Sequence, residues 1–162
     1  MSLKSASLYL IVSILCACNR YIPDCEHRYW RFQKTCTGCH FYDSARIYLP
    51  PNSPCQSIEI ELMRGACGER LYVTTQCFQL TPLDSEESEV AVSFRSVGEE
   101  RIFEGTAFKG GQRLLMEEAA QTYLIKQMHS GHEVEIRVGI FHACIPPTRF
   151  SSNYSKMQKA VL

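Results

Sequence analysis

The sequence carries no excess of charge. Seventeen Lys and Arg stand against seventeen Asp and Glu in 162 residues. A neutral chain has no net attraction for a phosphate backbone, which argues against a dedicated nucleic-acid binder. No run of about 20 apolar residues occurs, so no segment reads as a membrane-spanning helix. Gly-x-Ser-x-Gly, His-Glu-x-x-His and a Gly-rich phosphate loop are all missing, which removes common hydrolase and nucleotide-binding signatures. There is no repeat of fixed period and no low-complexity tract. Apolar residues are not scarce: 45% hydrophobic and 21% charged lie near globular averages and exclude wholesale disorder. The length fits one domain. The expectation is a globular protein that is not an enzyme.

What the sequence has in excess is cysteine, nine in all. The first eighteen residues place Lys4 before the apolar run Leu8–Leu15 and the small-residue stretch Cys16-Ala17-Cys18. That order reads as a secretory signal peptide over 1–18, and the mature chain is expected outside the cell. The Leu15-Cys-Ala-Cys18 run also resembles a bacterial lipoprotein box, in which Cys18 would be the lipidated residue. Cleavage after Cys18 leaves Cys25, Cys36, Cys39, Cys55, Cys67, Cys77 and Cys144. In an oxidising compartment these are disulfide candidates. Seven is odd, so one thiol stays free, joins a second chain as a disulfide-linked dimer, or pairs with a retained Cys18.

Residues 19–38 form a Cys-rich lead-in with Tyr29, Trp30 and Phe32 set among Arg28, Arg31 and Lys34. From Ala45 onward the pattern is that of strands. Ile58-Glu-Ile-Glu-Leu62 and Val90-Ala-Val-Ser-Phe94 alternate apolar and polar residues, as half-buried strands do. Leu71–Phe78 is rich in β-formers. Arg113–Ala120 holds strong helix formers and leaves room for one short helix. Gln121–Met128 and Glu133–Phe141 read as two further strands, joined by a hairpin turn at His129-Ser-Gly-His132. Residues 146–162 show little periodicity and read as a flexible tail, with Asn153-Tyr-Ser155 an N-glycosylation sequon. The fold class expected is all-β: an antiparallel, disulfide-stapled β-sandwich of jelly-roll type over 39–145.

The order Ile47-Tyr-Leu-Pro50, Cys55-Gln-Ser-Ile58, Arg70–Leu80, Tyr123-Leu-Ile-Lys126 and Gly139–Ala143 resembles that of a CUB-type domain. The likeness spans about residues 39–144. It implies a secreted sandwich used for binding. The chain departs from the family where Ser57 replaces an aromatic, where no Cys lies between Cys77 and Cys144, and where the closing hairpin lacks an Asp. The calcium site of many family members therefore does not carry over.

One short motif stands apart. Cys36-Thr-Gly-Cys39-His40 is the C-x-x-C-H pattern of covalent haem attachment, with His40 as iron ligand. It would make the chain an exported c-type haem electron-transfer protein. The strand-rich remainder speaks against that, since such cytochromes are helical. The leading expectation has no cofactor and no metal, and an extracellular protein or glycan as partner. Its candidate binding residues are Glu86, Glu87 and Glu89 beside the acidic loop, His129 and His132 at the presumed hairpin, and Trp30.

Overall fold

The computed structural model describes residues 28–37, 43–51, 58–75, 80 and 89–160. The segment 1–18 expected to be a signal peptide, Cys25, Cys39, His40, Cys55, Cys77, Glu86 and Glu87 lie outside these residues. The elements in order are β1 (Arg31–Thr35), β2 (Ser44–Leu49), β3 (Ile58–Gly65), β4 (Gly68–Thr75), β5 (Glu89–Ser96), β6 (Glu99–Ala107), β7 (Arg113–Met116), α1 (Glu118–His129), β8 (Val134–Val138), β9 (Phe141–Ile145) and α2 (Phe150–Ala160). The protein is mostly antiparallel β, as its alternating segments predict.

The strand ladders join the nine strands of the described residues into one sheet, in the order β1-β2-β3-β4-β7-β6-β5-β8-β9. The sandwich expectation called instead for two facing sheets. The sheet curls: β9 approaches β3, and α2 packs on β1 and β2. Helix α1 lies against β4, β6 and β8. The core fills the concave side, with Ile47, Ile60, Leu62, Leu71, Val73, Val92, Phe94 and Ile136 fully buried. Two layers, a curved sheet and its helices, thus bury one apolar face of each strand.

Four expectations are corrected. The helix overlaps Arg113–Ala120 only at its last three residues. That stretch begins as strand β7, and the helix occupies Glu118–His129, including the presumed strand Gln121–Met128. Thr122, Tyr123 and Ile125 favour strands locally, but Ala120, Tyr123, Leu124 and Met128 are the buried positions. Their spacing is helical, and a helix is what turns all four toward the concave face.

The presumed hairpin turn is therefore a helix stop. Ser130 caps α1, Gly131 has φ +76°, and two reverse bonds close the end: Gly131 N–H to Met128 O (3.2 Å) and His132 N–H to Gln127 O (3.0 Å). This is a Schellman arrangement, which needs a residue tolerant of the left-handed region at the glycine position. The strand expected over Glu133–Phe141 breaks at Gly139-Ile140, where Val138 pairs with Phe141 and the chain reverses into β9. Val134, Ile136 and Val138 are buried as expected, but Ile140 sits on the turn, 88% exposed.

The fourth correction is the tail. Residues 150–160 form α2, whose Phe150, Asn153 and Met157 are buried. The spacing 150, 153, 157 places all three on one helix face. Asn153 Nδ2, the atom a glycan would occupy, donates a 2.7 Å bond to Trp30 O in a buried setting. Glycan attachment would replace one of the Nδ2 hydrogens and force a sugar into that buried setting. The expected outcome is an unmodified Asn153 in folded protein from a glycosylating host. Deglycosylase treatment should leave its intact mass unchanged, and a loss of one or more hexosamine masses would contradict the placement.

Candidate functional site

The outer face of the first strands gathers the side chains that sequence reading did not connect. Cross-strand register sets Tyr48, Glu61 and Tyr72 side by side on β2, β3 and β4. Arg46 precedes Tyr48 by two residues on the same face, and Arg113 lies opposite Thr74 at the start of β7. Glu61 receives Arg46 Nη1 at 3.0 Å and Arg113 Nη2 at 2.8 Å. Its own side chain is only 4% exposed.

Each guanidinium also lies over a tyrosine ring: Arg46 on Tyr48 at 4.8 Å and Arg113 on Tyr72 at 4.2 Å. Gln33 on β1 takes two further bonds from Arg46, at 2.9 and 2.6 Å. A carboxylate so nearly buried is stabilised only if its charge is compensated and its lone pairs are filled. Two guanidiniums do both here. In return Glu61 holds them over the tyrosine rings. The set is a rigid surface of Tyr and Arg, the residue types that dominate binding hot spots.

Beside it, Phe108 in the β6–β7 loop is 46% exposed, with its ring 6.1 Å from Tyr72. The loop is tied by Phe108 N–H to Arg113 O (2.8 Å) and Gly111 N–H to Phe108 O (2.9 Å). The aromatic edge of the surface is thereby held in register with Arg113. Farther along the same strands, an open cleft of about 210 Å³ is lined by Arg70, Leu115, Met116, Glu118 and Gln121. Nearby, Glu69 is bonded by Tyr154 Oη (3.3 Å) and Gln158 Nε2 (2.6 Å), which locks α2 to β4. Burial and the Glu69 charge push the Tyr154 phenol above its ordinary pKa.

The residues singled out from sequence fall in different places. Trp30 is not a surface residue. It is wholly buried, its Nε1 donates to Pro146 O at 3.0 Å, and its ring meets Phe150 edge-on at 5.1 Å. Arg28 is buried as well, with bonds to the carbonyls of Pro50, Ile58 and Cys144. The described part of the aromatic-basic lead-in is thus a strap across the fold: Arg28 and Trp30 are buried and Phe32 half-buried, while Tyr29, Arg31 and Lys34 reach the surface.

His129 is exposed in the last turn of α1, where it contacts Phe150 and Tyr154 edge-on and shares a 3.2 Å hydrogen bond with Ser151 Oγ. His132 bonds Gln127 at 3.0 Å. Both histidines brace the α1 terminus and its junction with α2. Glu89 is exposed at the start of β5, opposite Thr106. The structure brings none of these residues together with the Glu61 surface.

Of the cysteines, Cys36 and Cys67 are exposed free thiols, so these two disulfide candidates are unpaired in this structure. Cys144 is disulfide-bonded, with its partner outside the described residues. The haem motif is described only at Cys36 and Thr37. Among the described residues no three His, Cys, Asp or Glu side chains gather as a metal-binding set, and no helix is long and apolar enough to cross a membrane.

The signal for Glu61 was visible only as alternation. Ile58-Glu-Ile-Glu-Leu62 told which face the carboxylate takes. Its partners come from 15 residues upstream and 52 downstream, and no local pattern links them. No family model, curated protein or solved structure matches this chain.

Proposed function

We propose that the chain is a secreted, non-enzymatic binding module that recognises an extracellular protein or glycan. Its contact surface is the outer face around Glu61, rather than the acidic loop or the histidines. The observation that carries this is the fixing of two partly exposed guanidiniums over tyrosine rings by one buried carboxylate. Groups ordered before contact lose little conformational freedom on binding, which is the main saving available to a flat interface. The curved sheet supports the surface from behind with a continuous apolar core, so the site rests on rigid elements.

The test is a screen of the purified chain against panels of extracellular proteins and glycans, repeated with Tyr72→Ala and with the control Arg137→Gln on β8. Tyr72→Ala is expected to weaken the partner found at least tenfold while the control leaves it unchanged. Equal binding by all three proteins would place the contact elsewhere. Turnover of a panel member would overturn the non-enzymatic reading.

A further inference from the structure

The Glu61 surface has a sign. The outer face of β1–β4 and β7 carries Arg31, Arg46, Arg70 and Arg113 against Glu59 and Glu61, an excess of two positive charges. The outer face of β6, β5 and β8 carries Glu89, Glu100, Glu104 and Glu135 against Arg95 and Arg137, an excess of two negative charges. A neutral chain therefore presents one sheet face divided into a basic and an acidic half. An anionic ligand is drawn to the first half and repelled from the second.

Within the basic half, Arg113 is the group with unspent capacity. A guanidinium has five N–H donors in a planar fork. Arg113 places one nitrogen on Glu61, and among the described residues its other nitrogens have no partner. The side chain is 40% exposed and lies over the Tyr72 ring, 4.2 Å from its centroid. An oriented, partly exposed fork with free donors matches a carboxylate, which accepts two parallel bonds from it.

The surroundings select what bears the carboxylate. Small molecules are held in concave sites that enclose most of their surface, and this face is the outer side of a curled sheet. An added peptide strand needs a free sheet edge, whereas β4 and β7 are interior strands paired on both sides. What remains on offer beside the fork is the exposed ring of Phe108, since the Tyr72 ring already lies under Arg113. Such a surface suits the apolar face of a sugar ring.

We propose that Arg113, Tyr72 and Phe108 form a binding site for a carboxylated glycan, with the fork of Arg113, held over Tyr72, on a uronate-type carboxylate and the sugar ring on Phe108. This rests on the binding-module reading and names its ligand class.

The experiment titrates the full chain, freed of any signal peptide, with polygalacturonate, with neutral dextran and with poly-glutamate, by calorimetry at low and moderate salt. Polygalacturonate is expected to bind at least tenfold more tightly than either of the others, and to weaken as salt is raised. Arg113→Gln and Phe108→Ala are each expected to lower its affinity at least tenfold, while Arg137→Gln does not. If Arg113→Gln fails to fold, Arg113→Lys, which keeps the charge but loses the fork, and Phe108→Ala carry the comparison. Poly-glutamate binding as tightly as polygalacturonate, or undiminished binding by the variants, would overturn the proposal. Absence of polygalacturonate binding would do the same. Should Tyr72→Ala then abolish binding to a protein or a neutral glycan in the panels, the binding module stands and only its ligand class fails.

Discussion

Trp30→Ala is expected to lower stability by about 3–5 kcal/mol, the usual cost of removing a buried large aromatic. That is a large share of the ~5–15 kcal/mol by which such domains are stable. The residue is fully buried, and its polar groups are all spent on one distant segment. Nε1 donates to Pro146 O at 3.0 Å, the backbone N–H donates to Thr148 O at 3.2 Å, and the carbonyl accepts Asn153 Nδ2 at 2.7 Å. Removing the indole leaves a cavity against Phe150 and strands the Pro146 carbonyl in a buried place. The damage should therefore be local before it is global, with α2 losing its seat first. Urea unfolding followed by circular dichroism measures the total, since Trp30 is the only tryptophan and fluorescence is lost with it. Amide exchange measures the locality, and protection should fall most over 150–160. Trp30→Phe keeps most of the packing and should cost clearly less. A loss below about 1 kcal/mol for Trp30→Ala would mean that Trp30 does not hold the helix to the sheet.

Arg28→Met is expected to cost about 2–4 kcal/mol, from several buried carbonyls left without donors. Arg28 bonds Pro50 O at the end of β2, Ile58 O at the start of β3, and Cys144 O on β9. One side chain thus joins β2 and β3 to β9 at the far margin of the curled sheet. Among the described residues no carboxylate pairs with it, and burial lowers its pKa to about 10. Methionine of similar length relieves the cost of burying a charge, which offsets part of the loss. Arg28→Lys tests the geometry separately. An ammonium is a point charge and cannot reach three carbonyls spread around a planar fork, so lysine should restore less than half of the stability. Thermal unfolding of the three proteins decides this. Full rescue by lysine would show that charge, and not the fork, is what the site requires.

Much of the sheet was legible because alternation is local. Ile58-Glu-Ile-Glu-Leu62 and Val134-Glu-Ile-Arg-Val138 each have one apolar face, and period 2 puts that face inward in whatever sheet forms. Val97 was not legible. It occupies the two-residue β5–β6 turn with φ +51°, a left-handed position that suits Asn or Gly far better than a β-branched side chain. Helix α1 was misread because Thr122, Tyr123 and Ile125 favour strands by composition, while only burial against the concave face rewards the helical spacing of Ala120, Tyr123, Leu124 and Met128. The tail was misread because Phe150, Asn153 and Met157 make a weak stripe with no obvious surface to cover until β1 and β2 supply it.

By itself the sequence determined the strand-rich class, the inward face of β3, β5 and β8, and the absence of common catalytic motifs, since each follows from residues a few positions apart. Tertiary structure decided that the strands make one curled sheet, that Trp30 and Arg28 face the interior, and that Glu61 meets two guanidiniums. Those outcomes depend on contacts between residues 15 to 123 positions apart. The physical reason is the same in each case. A buried polar group is stable only where its partner arrives, and the arrival of that partner is a property of the whole fold.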